Sequence, residues 1–202
     1  MRVPRWVWPL SLTTIRLVLA PVLVVVAYRV REPGWWLVAI LWAGMVSDLL
    51  DGIVARRLGV QSPSLRRYDS QTDLVFWLCA TWCVWVTHPE IVRSHAWTIG
   101  MLLAVELGTY AVSWARFGRE ACTRAWLAKA WGLTIFAAFV WMLGRGEAGA
   151  PFWVMWGWGV AADLDVILIT LLLPRWEHDV PSAWHAWRIR AGRPIQRRRL
   201  LN

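Results

Sequence analysis

The sequence predicts an all-α polytopic membrane protein with six transmembrane helices and both termini on the cytoplasmic side. Three observations carry this. Of its 202 residues 58% are hydrophobic, with a mean hydropathy of +0.43, which is too apolar for a soluble domain of this size. It holds nineteen tryptophans against three tyrosines. Trp favours the membrane–water boundary, where an apolar ring and a polar N–H are both satisfied. Its 22 basic residues against 13 acidic give a formal charge of +9, and all but Lys129 are Arg. These Arg residues fall between apolar stretches, which points to lipid headgroups and membrane topology and away from nucleic acid.

Six segments are each long enough to cross a bilayer at about 1.5 Å per residue. They run over 10–28, 35–57, 70–87, 95–117, 125–143 and 152–173. The first follows Arg2 and Arg5 and has no small-x-small cleavage site, so it reads as a span and not as a leader. Trp6 and Trp8 ahead of it fit a short interfacial helix. The second is apolar only as far as Ser47, and the third opens on Asp69, Ser70, Gln71, Thr72 and Asp73. Both polar ends meet around 58–68, so these two helices project past the bilayer or line a wet cavity there. The fourth carries Glu106, which at membrane depth needs a partner: an ion pair with Arg16, or a substrate contact. The sixth carries Asp163 and Asp165, expected to line a polar interior.

With the N-terminus inside, the basic residues other than Arg16 and Lys129 divide, at the helix ends and connections, sixteen on the cytoplasmic side and four on the other. The same assignment makes the acidic 48–73 region cytoplasmic. Residues 1–175 then form the membrane domain, and 176–202 a basic tail whose Arg residues anchor it on anionic lipid. Cys79 and Cys83 lie at i,i+4 in an apolar stretch without a nearby His, a pattern of small packing residues and not of a zinc site.

The informative stretch is Ser47-Asp48-Leu49-Leu50-Asp51-Gly52-Ile53-Val54-Ala55-Arg56, followed by Asp69-Ser70-Gln71-Thr72-Asp73. Asp48 and Asp51 share a helix face at i,i+3, and Asp69 and Asp73 share one at i,i+4. The twelve residues between Arg56 and Asp69 let the third helix return, so that the two pairs face one another. An Asp inside a membrane costs about 2.5–3.5 kcal/mol on insertion scales, and four close together repel or take up protons. Hard divalent cations remove that cost, and carboxylate oxygens are the donors Mg²⁺ or Mn²⁺ prefer. Two such ions would suit displacement at phosphorus. The alternative is an ion-pair network with Arg56, Arg57, Arg66 and Arg67. Gly52 lets a ligand approach the backbone, Ala55 keeps the surface shallow, and Arg56 offers a planar fork for a phosphate. Together they make a seat for a nucleotide diphosphate.

At these residues the chain resembles the CDP-alcohol phosphotransferase family, with its pattern D-x2-D-G-x2-A-R-x8-G-x3-D-x3-D. Asp48, Asp51, Gly52, Ala55, Arg56, Asp69 and Asp73 fall in register, and Leu65 stands where the pattern has Gly. Leu12-Thr13-Thr14-Ile15-Arg16-Leu17 also resembles the family's first helix. The resemblance implies transfer of a phosphatidyl group from CDP-diacylglycerol to an alcohol acceptor, with release of CMP. Asp48, Asp51 and Asp69 would hold two divalent ions, Mg²⁺ or Mn²⁺, with Asp73 contributing to one of them and acting as general base. Asp48, Gly52, Ala55 and Arg56 would meet the CDP-lipid.

Lys129 lies in Ala128-Lys129-Ala130-Trp131-Gly132, similar to a G-K-x-K-T stretch of phosphatidylglycerophosphate synthases of which the first Lys survives. With Arg116, Arg119 or Arg124 it would contact a phosphorylated acceptor such as glycerol 3-phosphate; otherwise it snorkels to the interface. An inositol phosphate, serine or a choline-like alcohol fits the four Asp equally, as does a CDP-linked headgroup with diacylglycerol as acceptor. The partners implied are thus a CDP-activated lipid, a small alcohol and the bilayer, with a homodimer also compatible. The expected location is a bacterial inner membrane, with the site facing the cytoplasm. Three other readings compete: an intramembrane prenyltransferase, a cation-coupled transporter and an inactive scaffold. The first favours acidic repeats on two distant helices, and the second an inverted repeat that is not visible here.

Overall fold

A computed structural model describes residues 7–60, 62–119, 126–177 and 180–192, with the backbone alone at 63, 64, 66, 126, 128 and 129. Among the described residues every regular element is a helix: α1 (Val7–Arg29), α2 (Gly34–Leu58), α3 (Pro63–Thr87), α4 (Pro89–Ser94), α5 (Ala96–Phe117), α6 (Trp126–Arg145), α7 (Gly149–Leu172) and α8 (Ala183–Arg190). Each of the six segments read from the sequence falls on one of the long helices α1, α2, α3, α5, α6 and α7. Four of these, α1, α2, α5 and α7, are long and apolar enough to cross a membrane, which makes this an integral membrane protein. The acids and bases that open α3 lower its hydropathy, and the apolar stretch of α6 is the shorter Ala130–Arg145.

The chain divides into two compact units, residues 1–93 with 139–149, and residues 94–138 with 150–202. In the first, α1 packs against both α2 and α3. The buried residues of α1 recur every three or four positions, Thr13, Arg16, Ala20, Leu23 and Ala27, and α2 repeats the pattern with Leu37, Leu41, Gly44, Ser47, Asp51 and Ala55. This is one helix face in each case. The outward faces are the greasier ones: Val18 is 58% exposed, Leu74 60% and Trp35 75%. Small and polar side chains inside with large apolar ones outside is the arrangement lipid favours, because tails solvate Leu and Val as well as a core does.

Two glycines are required by the geometry. A Cβ on Gly44 would lie 2.5 Å from the tip of the Phe76 ring, so Gly44 makes the room in α2 that this buried ring of α3 fills. Gly59 ends α2 in the left-handed region at φ 65°. There its N–H bonds the Arg56 carbonyl and that of Val60 bonds Ala55, which closes the last turn. The next helix starts at once. The Ser62 hydroxyl accepts from the Leu65 N–H at 3.1 Å, and Pro63 occupies the first turn, where no N–H is needed. The sharp end of α2 and the capped start of α3 turn the two acidic helix ends back toward each other.

In the second unit, indole N–H groups tie helices together. Trp131 donates to the Met155 carbonyl at 3.1 Å and Trp158 to Leu127 at 2.9 Å, linking α6 to α7. Trp156 donates to Thr98 at 2.9 Å, linking α7 to α5. The tryptophan excess is therefore only in part a boundary feature. Exposed Trp97 and Trp35 fit that role, whereas these three satisfy backbone carbonyls within the bundle. Asp165 also has a task the sequence did not disclose. Its Oδ1 accepts from the Ala183 N–H at 3.0 Å and holds the start of α8, whose Ala186 packs with Val180 ahead of the helix on Ile169 and Leu173. Cys83 is buried and Cys79 half-buried, both as free thiols, in keeping with a packing role.

Candidate metal centre

The site is built where three helices of the first unit meet. Asp48 and Asp51 come from the last three turns of α2, Asp69 and Asp73 from the first three of α3, and α1 supplies Thr13 and Arg16. Asp48, Asp51 and Asp69 each place a carboxylate oxygen within 4.8 Å of the others, a spacing that could hold a metal ion. Asp73 stands beside this trio and is joined to it through Arg16. Asp51 is the buried member, with its side chain 7% exposed, while those of Asp48, Asp69 and Asp73 are 42%, 33% and 36% exposed. One wall of the cluster is thus protein and the other open to a ligand.

The cationic partner of all four acids is Arg16. Its Nη1 donates to Asp48 Oδ1 at 2.7 Å and to Asp73 Oδ1; its Nη2 donates to Asp69 Oδ1 at 2.9 Å and to Asp51 Oδ2. The guanidinium is almost wholly buried, and its Nε has no partner among the described residues. Thr13, one turn away, donates to the same Asp51 oxygen at 3.1 Å. Ser47 of α2 bonds the Leu12 carbonyl at 2.7 Å, and Thr14 meets the Tyr68 hydroxyl at 3.3 Å, so polar contacts from α1 pin both neighbouring helices around the acids.

This corrects one expectation. Arg16 does not serve Glu106: it is committed to the aspartates, and the acidic neighbour of Glu106 is Asp163, buried in the second unit. The two Asp pairs do come together from α2 and α3, with oxygens of Asp48, Asp51 and Asp69 within 4.8 Å of one another, and a side chain of α1 bonds all four. A signal for this was available. An Arg inside an apolar span must find an anion, and this acidic group is the largest in the chain.

The nucleotide-seat residues lie on the same end of α2. The Arg56 guanidinium lies over Gly52, 3.4 Å from where a Cβ would stand, and is exposed, while Ala55 is buried. Leu65 is half-buried at the third position of α3. The residues expected at the acceptor belong to the second unit. In the second unit Arg116 donates to the Leu173 carbonyl at 3.0 Å, and Arg119 stacks over Trp176 at 5.0 Å. The side chain of Lys129 and the whole of Arg124 lie outside the described residues.

Hard oxygen donors converging on one point already suit a cation, and a guanidinium bonded to all four acids is a cation standing among them. The residues therefore fit divalent metal ions. The fold and the site together define an integral membrane protein with a metal-competent aspartate cluster at one end of a helix trio. The chain belongs to the CDP-alcohol phosphatidyltransferase family, whose profile matches residues 6–186. Comparison with curated proteins and with solved structures finds no match. Membership makes it a transferase that moves a phosphatidyl-type group from a CDP-alcohol to an alcohol.

Proposed function

We propose that the chain transfers a phosphatidyl group from CDP-diacylglycerol to an alcohol and releases CMP, at a site facing the cytoplasm. The observation that carries this is the convergence of Asp48, Asp51, Asp69 and Asp73 from two helices onto one partly exposed point. Asp48, Asp51 and Asp69 would hold the metal ions, Mg²⁺ or Mn²⁺. When bound, divalent ions supply positive charge for the diphosphate and for CMP as it leaves. Asp73, outside the closest trio, would accept the proton of the acceptor hydroxyl as general base and support one metal. Gly52 and Ala55 keep the α2 surface low beside Asp48, and Arg56 donates to the phosphates of the CDP-lipid. Glycerol 3-phosphate is the acceptor we favour, with Lys129, Arg116 and Arg119 as its contacts; an inositol phosphate or serine is the alternative.

The test is CMP release. Purified protein with CDP-diacylglycerol, Mn²⁺ or Mg²⁺ and a panel of alcohols should release CMP with one acceptor of the panel and lose that activity in chelator. No release with any acceptor, under conditions in which another member of the family is active, would rule the reading out. Leu65→Gly probes the nucleotide seat. Restoring the family's Gly is expected to lower KM for CDP-diacylglycerol, at a cost of about 1 kcal/mol in stability from Gly in a helix. An unchanged KM would mean that Leu65 does not narrow the seat.

A further inference from the structure

We propose that Arg16 is the resident counter-cation of the aspartate quartet and sets its affinity for divalent metal by competing for the same carboxylates. The inference rests on the metal reading of the quartet and adds to it a residue that the motif does not contain.

Four features of the geometry carry it. First, the two terminal nitrogens of Arg16 divide the quartet evenly, Nη1 on Asp48 and Asp73, Nη2 on Asp51 and Asp69. Each pair of acids thus comprises one from α2 and one from α3. Second, no backbone carbonyl or neutral side chain shares the head group among the described residues, and the Nε is buried without a partner. Among the described residues the acids are all that hold it. Third, three of its four partners are the trio whose oxygens lie within 4.8 Å of one another. An ion held by that trio draws on carboxylates that already accept from Arg16, and two cations so close repel in a partly buried setting. Fourth, one guanidinium against four carboxylates leaves a formal surplus of three negative charges. The quartet is thus relieved enough to exist within an apolar bundle, yet still far from neutral and still attractive to divalent ions.

Arginine suits this role better than lysine. It stays protonated at any working pH, so the competition does not switch off, and its planar fork reaches both acid pairs at once.

The test uses the full chain in detergent, with Mn²⁺ binding followed by the electron paramagnetic resonance of free Mn²⁺ and thermal unfolding followed in chelator. Arg16→Gln is expected to tighten Mn²⁺ binding about tenfold or more and to lower the melting temperature in chelator, with a larger rise on adding Mn²⁺ than in the parent. Unchanged or weaker Mn²⁺ binding overturns the proposal, since Arg16 would then organise the quartet and not compete for it. Should Arg16→Gln fail to survive extraction, Arg16→Lys decides. It keeps the charge but loses the fork, so Mn²⁺ must bind more tightly than in the parent by a smaller factor, and no tightening overturns the proposal. The unaltered protein is the control for the underlying reading. If it binds no Mn²⁺ at all, the metal assignment of the quartet is what fails.

Discussion

Asp73→Asn is expected to lower kcat by about 100-fold to 10,000-fold, the range a positioned general base contributes. On the proposed assignment the Asn cannot accept the proton of the acceptor hydroxyl, while the closest metal trio of Asp48, Asp51 and Asp69 is untouched. Mn²⁺ binding and the affinity for CDP-diacylglycerol should therefore survive in the variant. The substitution also removes one of the four anions around Arg16. Asn remains the right size to accept from Nη1 through its carbonyl oxygen, so the fold is expected to tolerate it. Steady-state CMP release alongside Mn²⁺ titration separates the two effects. Full turnover in this variant would show that another group takes the proton. Loss of both turnover and metal binding would make Asp73 chiefly a ligand.

Gly44→Ala should cost about 1–3 kcal/mol of stability, the usual range for overpacking, and it should weaken metal binding as well. Its Cβ would come within 2.5 Å of the Phe76 ring, with two further ring atoms at 3.0 and 3.1 Å. Phe76 is only 2% exposed and has the Trp77 ring at its edge, so it has little room to retreat. The backbone must then give. Gly44 lies one turn before Asp48, and Phe76 one turn after Asp73. A displacement that relieves the clash is thus transmitted directly to the spacing of the two acid pairs. Phe76→Leu in the Gly44→Ala background should recover part of both losses, and the coupling in that double-mutant cycle measures the contact. Equal melting temperatures for the parent and Gly44→Ala would mean that the helices accommodate the methyl freely.

Much of this protein is legible without its structure because its signals are local. A helix in lipid must satisfy its own backbone, so a long apolar run leaves few alternatives. The six long helices fall where the runs lie. The same periodicity places Asp48 with Asp51 and Asp69 with Asp73, and the spacing of those acids with Gly52, Ala55 and Arg56 carries the family. Leu65 is a case where the departure from pattern was visible but its setting was not. Only the structure puts it on the third position of a helix capped by Ser62. The tryptophans illustrate a limit of composition: an indole serves a bilayer boundary and a buried carbonyl equally well, and Trp131, Trp156 and Trp158 take the second use.

The acidic cluster shows most clearly where sequence ends and tertiary structure begins. By itself the sequence determined that four carboxylates lie on the facing ends of two helices, because i,i+3 and i,i+4 spacing fixes a face without reference to any neighbour. It also determined that an Arg lies inside the first apolar span, where it must meet an anion. Which anion was beyond it. Arg16 is separated from its partners by 32 to 57 residues, and Glu106 was as reasonable a candidate on local grounds. Only the packing of α1 against both α2 and α3 decided that this guanidinium reaches all four aspartates. The physical reason is that helix periodicity fixes the direction a side chain takes from its own axis, whereas the neighbours it meets depend on which helices the buried face of α1, with Ala20 and Ala27, packs against.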